Sequence, residues 1–299
     1  MSVHLTQSQW AVLAQKNGES SSLATEDQDA VFTKSLVFVL GLEGRDAPDP
    51  SWGIFQTLLD VAVQSAQPRP SMTHVELVVP ATKTKENMHF ATYIAEKAGW
   101  GDSFRNNRSF YLGENAGHWR ALPVSCNDAA SRVRKECKKH VGTEYSIARY
   151  LWAIPPLRAF SSLLPDRPMS YAHCGTLTAR VLKNALSELA PEHPSAWYGP
   201  STLFIEMSSD NVQNKTHAFL KGTESMKSLT ETEDETTALQ TLLNGSDEEV
   251  TTLSDTSCYS AIRVLSERAS DTNLDETARR IVQKQLATCL LRYSIVNRS

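Results

Sequence analysis

The chain has 299 residues, 40% hydrophobic and 21% charged, with a formal net charge of −4. That length can bury a sizeable core in one or two domains, and the ordinary globular composition excludes wholesale disorder and any collagen-like or membrane class. A slightly acidic chain without a long Lys/Arg run has no electrostatic footprint for phosphate backbones, so nucleic acid is not expected as a direct ligand.

Residues 1–32 read as an N-terminal arm: a short apolar patch (Trp10, Val12, Leu13) followed by a polar run from Asn17 to Asp29. Neither a basic stretch with a following apolar run nor a window of ~18 uninterrupted apolar residues occurs, so no secretory signal and no membrane span are expected. Ser35 to Gly41 is a continuous β-branched run, the pattern of a central strand buried on both faces. Helical spacing over Trp52 to Ser65 precedes three short segments, Thr73–Val79, Phe90–Ala95 and Trp119–Val124, that read as strands of one antiparallel sheet. An amphipathic stretch runs from Asn127 to about His140 and stops at Gly142, and a second helix is expected from Cys174 to Leu189. Between them, Tyr150 to Pro165 is aromatic, apolar and broken by Pro155-Pro156, an insertion suited to capping a groove.

Composition changes after Met207. From Glu224 to Asp255 there are nine acidic residues and one basic residue, so 208–272 reads as a solvated Ser/Thr-rich linker. The last segment, 273–299, has Asn273 and Glu276 at capping-box spacing and an apolar face of Leu274, Ile281, Val282, Leu286 and Leu290. Such a helix needs a docking surface, either the main domain or a protein partner in self-assembly. Five scattered cysteines without a C-x-x-C pair disfavour a disulfide framework and a zinc site, and point to a reducing, cytoplasmic compartment with no metal or cofactor.

Chemistry centres on Cys174. The periodicity after it places the thiol at a helix N-terminus, where unpaired N–H groups and the helix dipole favour a thiolate. The alternative reading is a buried, inert cysteine. His74 sits on a strand whose alternation puts His74, Glu76 and Val78 on one face and Val75, Leu77 and Val79 on the other. An imidazole on a rigid strand facing a helix-start cysteine is the pairing acyl transfer needs. His173 is expected to point elsewhere, because adjacent residues do not share a helix face.

The ordered set Thr73-His74-Val75, Ala95-Glu96, Gly142-Thr-Glu-Tyr145, Cys174-Gly-Thr-Leu177-Thr-Ala179-Arg-Val181-Leu182 and Pro200-Ser-Thr-Leu203 resembles the permuted branch of the NlpC-type papain-like cysteine hydrolases over residues 33–207. The resemblance implies an α+β fold, with an antiparallel sheet packed against helices in a circularly permuted papain-like domain, here with a helical C-terminal extension. It implies Cys174 as nucleophile, His74 as base and Glu96 as the residue orienting the imidazole, with His89 a poorer match. The Cys174 backbone N–H would serve as an oxyanion donor.

The implied function is a cysteine hydrolase or acyltransferase acting on an amide, ester or thioester of a peptide, lipid or acyl substrate, with an apolar moiety near Trp152, Ile154, Leu157 and Phe160. Papain-like folds of this branch also occur in viral proteins, some of them virion components such as a protruding capsid protein of the cypovirus kind. That likeness implies an alternative: a non-catalytic structural or assembly protein, located in the virion, that uses the fold as a scaffold.

Overall fold

The computed structural model describes residues 34–44, 68–69, 71–80, 89–91, 98–100, 109–146, 171–222 and 233–296. The expected arm over 1–32, the helix over 52–65 and the insertion over 150–165 lie outside the described residues. Strands β1 (Leu36–Glu43), β2 (Met72–Val78), β3 (His89–Ala91), β4 (Gly99–Trp100) and β5 (Trp119–Ser125) form one antiparallel sheet in the order β4-β3-β2-β1-β5. Two further strands, β6 (Glu144–Tyr145) and β7 (Tyr171–Ala172), form a short parallel pair. β1 lies between β2 and β5 and every one of its residues is buried, which is why its sequence reads as an unbroken apolar run.

Helices cover both faces of the sheet, so the molecule is a mixed α+β fold. One face carries Val37, Val39, Val75, Leu77, Leu122 and Val124, and packs on α1 (Ala129–His140), α2 (Cys174–Ala185) and α3 (Pro200–Met207). The other carries Leu36, Phe38, Leu40, Val78 and Trp119 beneath a helical layer. The pairing of Leu42 with His74 and of Glu43 with Met72 leaves Thr73 as an extra residue on β2. This bulge reverses the alternation, so Met72 joins Val75 and Leu77 in one cluster while His74 and Glu76 stand on the opposite side. Gly142, at φ 87°, ends the turn after α1 in the left-handed region, as expected of a glycine stop.

The segment expected to be a solvated linker, 208–272, is instead rich in helix. α4 (Asp210–Gly222), α5 (Glu233–Asn244), α6 (Asp247–Thr252) and α7 (Asp255–Ala269) all fall within it. Its acidic residues mask a set of apolar positions, Ala238, Leu242, Val250, Ile262 and Leu265, that are buried together. Composition averaged over the window hid this periodicity. A capping box does occur, but at Ser246 and Glu249 of α6.

The last helix, α8, spans Glu276–Val296 rather than starting at Asn273, and Asp275 Oδ1 accepts from the Ala278 N–H at 2.9 Å in the capping role. Leu286, Cys289 and Leu290 are buried in the cluster containing Phe38, Leu40 and Trp119, with Val282 packed at its margin. Leu274 and Ile281 are half-buried. The apolar face thus covers the chain's own sheet and no longer argues for an external partner. Electrostatics lock this docking: Arg120 of β5 reaches Glu43 at 3.1 Å and Gln283 at 3.0 Å, while Arg280 and Lys284 reach Glu43 at 2.9 and 3.1 Å. Among the described residues, no helix is long and apolar enough to cross a membrane.

Candidate active site

Cys174 is the first residue of α2, reached from β7 through His173, whose extended backbone (φ −107°, ψ 171°) makes it the N-cap. The His173 ring folds over the first turn, its Nε2 2.8 Å from Thr176 Oγ1 and its Nδ1 3.5 Å from the Thr176 N–H. Pairing of β7 with β6, continued by the Ser146 N–H donating to the Ala172 carbonyl at 2.9 Å, brings Tyr145 within electrostatic reach of the thiol.

The opposite wall of this helix start is unusually close. A Cβ on Gly175 would lie 2.7 Å from the Tyr198 carbonyl oxygen and 2.8 Å from the Gly199 carbonyl carbon. Only glycine lets the 198–200 backbone approach this near. The next residue, Ser201 of α3, ties that wall to β2: the Met72 N–H donates to Ser201 Oγ at 2.7 Å. The Gly175 and Pro200-Ser201 motifs therefore act together to fix the cysteine helix against the start of the histidine strand.

The structure sets Cys174 and His74 near enough that the charge of each acts on the other. Both are buried, at 2% and 9% exposure, so their charges interact with little solvent screening. Burial alone would push the Cys174 thiol up; the imidazolium of His74 and hydrogen bonds from His173 and His74 outweigh it and hold the thiol down at about 5. Burial likewise opposes a charged His74, but the thiolate and the Glu76 carboxylate raise it to about 10. The two titrate as one unit, a thiolate–imidazolium pair. Burial and the same thiolate push the Tyr145 hydroxyl upward.

No family model, curated protein or solved structure matches the chain.

Glu96, expected to orient the imidazole, lies outside the described residues. His89 sits opposite Val78 in the β2–β3 register, four residues and about 13 Å along the strand from His74. The carboxylate found at the imidazole is Glu76, whose Oε2 lies 3.5 Å from His74 Nε2. Glu76 is fully buried and accepts from the Tyr111 hydroxyl at 3.2 Å. Strand alternation had already placed it on the His74 face; what the sequence could not show is that two long side chains at i and i+2 lean together. His173, expected to point elsewhere, instead caps the helix and acts on the thiol. Its neighbour relation to Cys174 follows no helix-face rule, because an N-cap lies outside the helix proper. Among the described residues no group of three or more ligating side chains is placed to hold a metal ion.

Proposed function

We propose that the protein is a cysteine hydrolase or acyltransferase of the permuted papain-like, NlpC-type kind, with Cys174 as nucleophile and His74 as general base and acid. The observation that carries this reading is the buried Cys174 at a helix start with the buried His74 acting on it, the thiol held far below its ordinary range. Buried structural cysteines have raised values, as Cys126, Cys137 and Cys289 do here. The thiolate attacks a carbonyl carbon and forms a C–S bond. Collapse of the tetrahedral centre breaks the bond to the leaving nitrogen, oxygen or sulfur, which takes its proton from His74. Neutral His74 then removes a proton from water or an acceptor, whose attack on the acyl-Cys174 breaks the C–S bond and restores the ion pair. The first-turn N–H of Cys174, which has no intrahelical partner, is available to the oxyanion.

The near-complete burial of Cys174 favours a second reading, in which the fold serves as an assembly scaffold. Turnover separates the two. Thioester, ester and peptide amide substrates should be hydrolysed by the wild type with acyl-enzyme trapped on Cys174, and both Cys174→Ala and His74→Ala should abolish this. Folded wild-type protein that forms no acyl adduct with any of the three classes would support the scaffold.

A further inference from the structure

The helical turn Ser109–Glu114 carries Tyr111, which is 1% exposed and belongs to the same buried cluster as Leu286 and Leu290 of α8. Its ring stacks on Trp119 with centroids 5.3 Å apart and planes 21° apart. Trp119 in turn meets the His74 ring in a T-shaped arrangement, at 6.4 Å and 88°. The Tyr111 hydroxyl donates to Oε2 of Glu76, the oxygen that also faces His74. A fully buried carboxylate requires donors of this kind to remain charged.

We infer that Tyr111 is a positioning residue of the site: it holds the Glu76 carboxylate against His74, and through it the C-terminal helical layer sets the strength of the Cys174–His74 pair. The physical chain is short. Without the phenol, the buried Glu76 is less able to stay ionised and aligned, so it supports the imidazolium less. A weaker imidazolium stabilises the thiolate less, and the thiol titrates at higher pH. Among the described residues, the other titratable groups facing the thiol are His173 from the N-cap and Tyr145 from β6. Both are retained in every variant of the test, so they form a constant background.

This inference takes its catalytic meaning from the proposed function, but its test needs no turnover. The pH dependence of iodoacetamide alkylation at Cys174, read by peptide mapping, would be compared among wild type, Tyr111→Phe, Glu76→Gln and the double variant, with thermal melts in parallel. Tyr111→Phe should move the alkylation midpoint upward by about half a pH unit or more, in the same direction as Glu76→Gln. The double variant should coincide with Glu76→Gln alone, because Tyr111 acts through that carboxylate. A Tyr111→Phe profile that overlays wild type, or a double shift equal to the sum of the singles, would overturn it. If Tyr111→Phe fails to fold, restoration of folding when Glu76→Gln is added supports the link, while a double variant that also fails makes Tyr111 a packing residue and sinks the inference. Absence of any hydrolytic activity with an intact alkylation shift would count against the proposed function and leave this inference standing.

Discussion

His74 Nε2 and Glu76 Oε2 lie 3.5 Å apart although the residues are two positions apart on one strand, so the imidazole and its carboxylate share a single rigid element. Their relative placement therefore does not depend on loop closure. With Cys174 held near 5 and His74 near 10, a thiolate–imidazolium pair spans the pH range between. Alkylation of Cys174 should accordingly rise through about pH 5 and be complete well below neutrality, while Cys126, pushed up by burial to about 12, stays unreactive. Replacing Glu76 by Gln removes a negative charge beside the imidazole, so the Cys174 midpoint should move up and the His74 midpoint down, each by about one pH unit. Equal labelling of the cysteines at pH 6 to 7 would contradict the ion pair.

Gly175 offers a steric test that leaves every titratable group in place. Gly175→Ala drives a Cβ to within 3.0 Å of the Tyr198, Gly199 and Pro200 backbone, which has no flexible end to yield. The cost should be about 1–3 kcal/mol in stability, and Cys174 alkylation at neutral pH should change because α2 shifts from the β2 side. Gly142→Ala serves as the control. Its positive φ strains the substitution, but nothing lies within 4 Å of the added atom and Cys174 reactivity should stay at the wild-type value. Indistinguishable alkylation in Gly175→Ala and wild type would show that this wall does not position the nucleophile.

Docking of α8 should weaken in acid. Burial opposes the charge on Glu43, but the hydrogen bond from Arg280 and the charges of Lys284 and Arg120 outweigh it and lower its value. A carboxyl depressed in the folded state contributes stability above its unfolded value of about 4.3, and that contribution is lost as pH falls through the lower folded value. Glu43→Gln should therefore cost about 3 kcal/mol near neutrality, by leaving Arg120 buried without its anionic partner, and the gap to wild type should close as pH drops below about 4. Melting temperatures of the two proteins against pH measure this. Parallel curves down to pH 3 would mean that the Glu43 cluster does not carry the linkage.

Much of the sheet was legible in the chain itself. The unbroken apolar run of β1 could only be a strand covered on both sides, the alternation in β2 separated His74 and Glu76 from Val75 and Leu77, and the glycine at 142 marked the end of α1. Those signals are local: each depends on a period of two or 3.6 residues and on backbone freedom. Cys174 at a helix start was equally readable, because a helix N-terminus is announced by the residues that follow it. Tertiary structure alone decided what meets what. The acidic segment folds because its few apolar residues are pooled from four helices, a property that window composition cannot register. The helix of 276–296 needed a surface by its sequence, but only the fold chose the sheet of the same chain, through the joint burial of Leu286 and Leu290 and the convergence of Arg120, Arg280 and Lys284 on Glu43. The carboxylate at His74 was settled in the same way. Side-chain reach and burial, which exist only once the strands, α2 and the Tyr111 turn are packed, bring Glu76 to the imidazole.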